Sequence, residues 1–132
     1  MPDATATYTL RKAERLYRRN VIDRLFAGGA HSFVVYPLRI VYVDVETLEA
    51  PVSILISVSK RRFKRAVKRN RMKRRIREAY RKQKTALVQS AEEQHRHLAV
   101  AFIYLTDKLV DSAAIEASMK TALTRIREQI GS

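Results

Sequence analysis

Between Lys60 and Lys84 the chain carries fifteen Lys or Arg residues and a single acid, Glu78. Val67, Met72, Ile76 and Tyr80 are threaded through these bases, and a solvated tail would have no use for them. On a helix of 100° per residue with Met72 at zero, Ile76, Ala79, Tyr80, Gln83 and Leu87 fall between about −20° and 80°. Asn70, Arg74, Arg77 and Arg81 fall near 140–200°, on the opposite side. Arg71, Arg75, Glu78 and Lys82 form a flanking row. The segment therefore reads as an amphipathic helix clamped to a core by one stripe. Burying Met72, Ile76 and Leu87 contributes roughly 1.5–3 kcal/mol each. That gain must offset like-charge pairs at i, i+4, each of which costs a few tenths of a kcal/mol. A phosphate ligand would relieve this repulsion.

The rest of the chain is electrically neutral. Of 27 Lys and Arg residues and 13 acids among 132 residues, the 107 positions outside Lys60–Lys84 hold twelve of each. A cationic element on a neutral body points to a polyanionic partner. A mixed-sign solvated face is disfavoured because the signs are not mixed. A membrane or calmodulin-type role is disfavoured because the apolar stripe lacks Trp and Phe and is needed by the core. The length suits one domain and the 46% apolar content suits a globular one. There is no run of eighteen apolar residues, no secretory layout in Met1–Thr9, and no cysteine, which fits a cytoplasmic protein.

Along the chain, residues 1–9 read as a flexible tail and 10–132 as a single domain. Leu10, Ala13, Leu16, Tyr17, Val21, Leu25 and Phe26, with Ile22 beside them, are spaced as on a helix, at least over 20–27. Asn20 is a candidate cap and Gly28-Gly29 a terminator. "HSFVVY", "LRIVYVDV" and "VSILISVS" read as three strands, with Pro37 between the first two and the polar turn "DVETLEAP" before the third. Their short links favour antiparallel pairing. By the two-residue period, Ile40 and Tyr42 face one way, Val41 and Val43 the other. Residues 85–97 are expected to finish the basic helix and form a loop. "LAVAFIYL", 98–105, is a buried strand. Asp111 or Ser112 caps a last helix with Ile115, Met119, Ala122, Leu123, Ile126 and Ile130 on one stripe. The fold class is α+β, in the order α-β-β-β-α-β-α.

The stretch "SVSKRRFKRAVKRNRMKRRIREAYR", 57–81, closely resembles the protein subunit of bacterial ribonuclease P. The resemblance lies in Ser57-Val58-Ser59-Lys60 at a strand end, the pair Ala66-Val67, and the run Arg69-Asn70-Arg71-Met72-Lys73-Arg74-Arg75-Ile76-Arg77-Glu78. "LRKAERL", Phe26 before the glycines, Tyr42 and the final helix agree in outline, so the similarity spans residues 9–130 and is densest at 57–81. The resemblance implies a single-domain α/β sandwich with a left-handed βαβ crossover, against the general right-handed rule. It implies a subunit of an endoribonuclease whose RNA cuts the 5′ leader from precursor tRNA, with Mg²⁺ held mainly by RNA and no metal or cofactor bound by this chain. The implied partners are that catalytic RNA and precursor tRNA, with no membrane and no obligate protein partner evident. By position, Lys60, Arg61, Arg65, Lys68, Arg69, Asn70, Arg71, Lys73, Arg74 and Arg77 are implied to contact the catalytic RNA. Ile22, Phe26 and Tyr42 are implied to line a cleft for the leader. Arg forks suit phosphate oxygens, and aromatic rings stack bases of any identity. The chain departs from the family where phenylalanine is common (Ile22) and where a small third-strand residue is common (Leu55).

No catalytic constellation is visible in the chain itself. His31, His95 and His97 fall in expected loops or turns, and His95-x-His97 lacks a third ligand at metal-site spacing. Phe63 reads as a pin between the basic loop and the body. The alternative, a ribosomal or ribosome-assembly protein that binds RNA without a role in cleavage, shares the charge block. It does not require the Ser57–Lys60 strand end running into Arg69-Asn70-Arg71.

Overall fold

In the computed structural model, residues 14–15 and 19–131 are described. The expected tail 1–9 and four apolar positions of the first helix, Leu10, Ala13, Leu16 and Tyr17, lie outside them. Helix α1 (Arg19–Phe26) leads to strands β1 (His31–Val35), β2 (Leu38–Asp44) and β3 (Val52–Ser57). Helices α2 (Ala66–Gln83) and α3 (Thr85–Glu93), strand β4 (Leu98–Tyr104) and helix α4 (Ser112–Gly131) complete the chain. Gly28 and Gly29 end α1 with φ of +98° and +82°, where glycine alone is unstrained. Asn20 lies inside α1 rather than capping it.

The four strands form one mixed sheet in the order β1-β2-β4-β3. β1 and β2 pair antiparallel, as expected, but β3 does not continue that meander. β4 inserts between them, antiparallel to β2 and parallel to β3. The reason lies in the side chains. Leu98 through Phe102 are fully buried, so β4 suits the centre, where both faces are covered. β3 carries Ser53 and Ser57 and suits an edge. Parallel neighbours need a long crossover, and here α2 and α3 supply it.

Alternation along the strands divides two cores. One face, carrying Phe33, Ile40, Tyr42, Ile54, Val100 and Phe102, packs on α2, α3 and α4. The other, carrying Val41, Ala99 and Ala101, packs on Val21 and Leu25 of α1. The α2 stripe is Met72, Ile76, Ala79 and Tyr80, each fully buried. Val67 is not part of it: it is 69% exposed. On the same helical wheel it falls about 20° from Arg74, among the bases. Residues 85–97 do not simply extend α2. Lys84 keeps helical angles (φ −69°, ψ −23°), a second helix follows, and His95 (φ +55°) comes just after its end. Asp111 is the cap of α4, its Oδ1 accepting from the Ala114 amide at 2.9 Å.

Two tethers fix α2. Arg75 donates to the Val110 carbonyl at 2.7 Å, and Gln83 to the Glu116 carbonyl at 3.0 Å, which lock it to the start of α4. Just past the Gln83 tether, Lys84, 3% exposed, meets Glu14 at 2.5 Å. The next residue, Arg15, bridges Ile54 on the outer edge of β3. Burial, with the charge of Glu14 added, pushes the nearby Tyr80 hydroxyl far above its usual ionisation range, so it stays neutral.

Because the stripe carries the packing and the outward bases do not, the two classes of substitution should separate. Ile76→Ala should cost about 2–5 kcal/mol of unfolding free energy in urea, whereas Arg74→Ala should stay within about 0.5 kcal/mol of the parent. Equal effects would contradict this division.

Candidate nucleic-acid interface

Helix α2 turns Lys68, Asn70, Arg71, Arg74 and Arg77 fully outward and leaves Lys73 half-buried on its flank. None of these five bases has an ion-pair partner among the described residues. Their neighbours in sequence are used internally. Arg75 and Lys84 are tethers, and Lys82 pairs with Glu116 at 3.1 Å. Arg81 grips the Glu78 carboxylate, which holds Glu78 below the usual carboxylate range and Arg81 above its own. What remains is a concentrated, unneutralised positive face on a rigid helix.

Before α2, the chain turns at Ser59, whose carbonyl accepts from the Arg62 and Phe63 amides at 3.1 and 3.3 Å. Phe63 is buried and stacks on Tyr104 at 6.0 Å, the pinning role expected of it. Arg69 closes the loop from the helix side, donating to the Phe63 and Lys64 carbonyls at 2.9 and 2.8 Å. The resemblance implies an RNA contact for Arg69; in this structure its Nη1 is committed to backbone. Lys60 and Arg61 are exposed here, as are Arg65 and Lys64. Lys60, Arg61 and Arg62 line a pocket of about 470 Å³ with Ser57, Ser59, Ile103, Tyr104 and Leu105.

A second cleft, about 300 Å³, opens between α1 and the sheet. Leu25, Phe26, Gly28, Ala30, Ser32, Arg39, Val41 and Ile103 line it. Ile103 lines both pockets, so the two adjoin on the sheet face and are together called the groove. Register explains its floor. Val34, Arg39, Ile103 and Ser57 are direct partners across all four strands. The next row, Ser32, Val41, Ala101 and Leu55, has its middle pair buried under α1. Helix α1 thus roofs the second row and leaves the first open. Leu55 packs partly into the core beneath α1.

Ile22 and Phe26 lie on this side of the sheet, Ile22 packed against the α1 core and Phe26 54% exposed at the groove. Tyr42 does not join them, and the cleft assignment made for it is corrected here. It points to the opposite face and is 1% exposed. Its ring stacks on His31 at 4.9 Å and its hydroxyl donates to Gln129. The two-residue period had already put Tyr42 opposite Val41, and α1 covers the Val41 side. The residues missed in the sequence are Arg39, Arg62, Ser57, Ser59 and Ile103. Arg39 was within reach, since extending the period of Val43 and Val41 by one step puts it on their face. Ile103 was not, because its place depends on which strands flank β4. His95 and His97 do not converge with acids: no three His, Asp or Glu side chains cluster among the described residues in a way that could hold a metal ion. Among them no helix is long and apolar enough to cross a membrane.

The architecture is thus that of a mixed α+β protein with a cationic helix beside a basic-ended groove on its sheet. The Ribonuclease P family model matches residues 10–127. A ribonuclease P protein component of Porphyromonas gingivalis is 45% identical over 128 residues, covering 96% of this chain and 93% of that protein. One from Chlorobium phaeobacteroides is 36% identical, covering 74% and 72%. The Staphylococcus aureus RNase P protein structure superposes with a TM-score of 0.66 at 22% identity, covering 87% of this chain and 96% of that one. The chain belongs to the ribonuclease P protein family.

The clamp by Arg69 has a measurable consequence. Arg69→Ala should speed amide exchange at Arg62 and Phe63, and Arg69→Lys should not restore protection, because the lysine ammonium stops one bond short of the Nη1 that donates to both carbonyls. Arg74→Ala should leave these amides unchanged. Equal protection in all three variants would remove the clamp.

Proposed function

We propose that this chain is the protein subunit of a cytoplasmic ribonuclease P, which binds the catalytic RNA and the 5′ leader of precursor tRNA while the RNA performs the cleavage. Family membership supports the assignment to this enzyme. The observation that carries the RNA-binding part is the set of unneutralised bases on α2, Lys68, Arg71, Lys73, Arg74 and Arg77, held at fixed spacing by the buried stripe beneath them. RNA phosphates are the ligand that relieves such repulsion, and releasing their counterions drives association. Asn70, exposed among these bases, adds a neutral amide able both to donate and to accept. Lys60, Arg61 and Arg65 extend the contact into the loop.

The groove is read as the leader site. Its floor is mixed, with Val34 and Ile103 beside Arg39 and Ser57, it is basic at the Lys60–Arg62 end, and it offers the ring of Phe26 as a platform for an unpaired base. Stacking tolerates any base, which suits a substrate set whose leaders vary in sequence. Among the described residues, no acid lines this groove to form an acid–base pair. The Mg²⁺ that such cleavage needs does not fit this chain's donor set either. Glu78 is committed to Arg81, Asp44 to Arg96, and no acidic or histidine cluster forms among the described residues. We assign that metal mainly to RNA. The protein's contribution is to neutralise and position two RNAs, which lowers the divalent concentration required.

Three measurements test this. Adding the protein to a bacterial ribonuclease P RNA at low Mg²⁺ should stimulate precursor-tRNA cleavage; no stimulation would favour an RNA-binding protein of another assembly. Replacing Arg71, Arg74 and Arg77 by Ala should weaken binding to the catalytic RNA and reduce the slope of log K against log salt by about 0.7–0.9 per lost phosphate contact. Phe26→Ala should weaken leader-bearing substrates by roughly 1–3 kcal/mol while sparing mature tRNA, and Tyr42→Phe should spare both.

A further inference from the structure

Arg39 sits at the end of the groove away from the basic loop. It is exposed on β2, faces the cleft beside Phe26, and has no carboxylate partner among the described residues. Its Nε donates to the Ser32 hydroxyl at 3.1 Å. That bond uses Nε, and no hydrogen bond from either Nη group is found among the described residues. It also fixes the orientation of a side chain that would otherwise be free to rotate. A fork held this way matches the oxygens of a phosphodiester better than the edge of any one base.

Register supplies the distance. Arg39 pairs with Ile103, and Ile103 pairs with Ser57, so the row from β2 to β3 crosses two interstrand spacings. At about 4.8 Å each, Arg39 lies roughly 10 Å from Ser57 along the open row. Three residues beyond Ser57 stands Lys60, in the pocket shared with Arg61 and Arg62. The groove therefore has cationic groups at both ends, with the uncharged Ile103 and Ser57 between them. The β2 face carries no aromatic ring here, because Tyr42 is turned into the core. Contact with the strip must draw on charge where a stacking surface is missing.

We propose that Arg39, oriented by Ser32, binds a backbone phosphate of the leader at the β1–β2 end of the groove, so that the leader crosses the sheet between Arg39 and the Lys60–Arg62 loop. This rests on reading the groove as the leader site. The phosphate contact makes recognition there independent of base identity and dependent on leader length, because a leader too short to cross the row never reaches Arg39.

The test uses the assembled holoenzyme and precursor tRNAs in which single leader phosphates are replaced by neutral methylphosphonates. With the parent protein, one leader linkage should prove sensitive, its neutralisation weakening binding about three- to tenfold. Arg39→Ala should produce a similar loss with the unmodified substrate, no further loss when that linkage is neutral, and a salt slope reduced by about 0.7. Arg39→Ala should not change affinity for mature tRNA or for the catalytic RNA. Ser32→Ala, which keeps the charge but frees the fork, should give a smaller loss at the same linkage. If the parent prefers leader-bearing substrate but no linkage couples to Arg39, the proposal is overturned and the leader groove stands. If the parent shows no preference for leader-bearing over mature tRNA, both fall together.

Discussion

The burial of Met72, Ile76, Ala79 and Tyr80 against the sheet is the interaction on which the rest of this molecule depends. An isolated helix with this density of bases would be opposed by repulsion along every turn. Packed against Phe102 and the α4 stripe, it is carried by tertiary contacts instead, and the bases become a fixed array. The same packing makes the helix the crossover between two parallel strands. The element proposed to bind RNA is therefore also the crossover that joins β3 to β4.

The positive charge is not uniform in its duties. Arg75 and Gln83 tie α2 to α4, Arg69 holds the loop before the helix, and Lys84 is a buried counter-charge for Glu14. Taking one partner from such a buried pair leaves a charge without compensation, so Lys84 belongs to the scaffold. Glu14 and Arg15 sit against the α2–α3 joint and the outer edge of β3. Helix α1 begins four residues later, and four residues reach at most about 14 Å. This attachment limits where α1 can lie over the sheet.

The position of α1 in turn creates the groove. Val21 and Leu25 cover Val41 and Ala101, but the helix stops at Phe26 and the two glycines turn the chain away. The row of Val34, Arg39, Ile103 and Ser57 is left without a roof. It is flanked by Phe26 and by the loop that Arg69 and Phe63 hold in place. A short helix and a pinned loop thus leave this strip of sheet open to solvent.

Much of this was legible in the residues. Helical spacing identified the buried stripe of α2, the charge count isolated one cationic element on a neutral body, and the two-residue period separated Tyr42 from Val41. These are local properties, set by the geometry of a helix or strand whatever surrounds it. The run 57–81 carried the family. The order of strands was not legible, because short links between β1, β2 and β3 are equally compatible with β4 lying at an edge or at the centre. The burial of β4 on both faces decided it. Tertiary structure alone also chose which sheet face α1 covers, and so sent Tyr42 into the core and Arg39 into the groove. It separated Arg75 and Lys84 from the outward bases, since their partners, Val110 and Glu14, come from distant parts of the chain and leave no trace in the spacing around them.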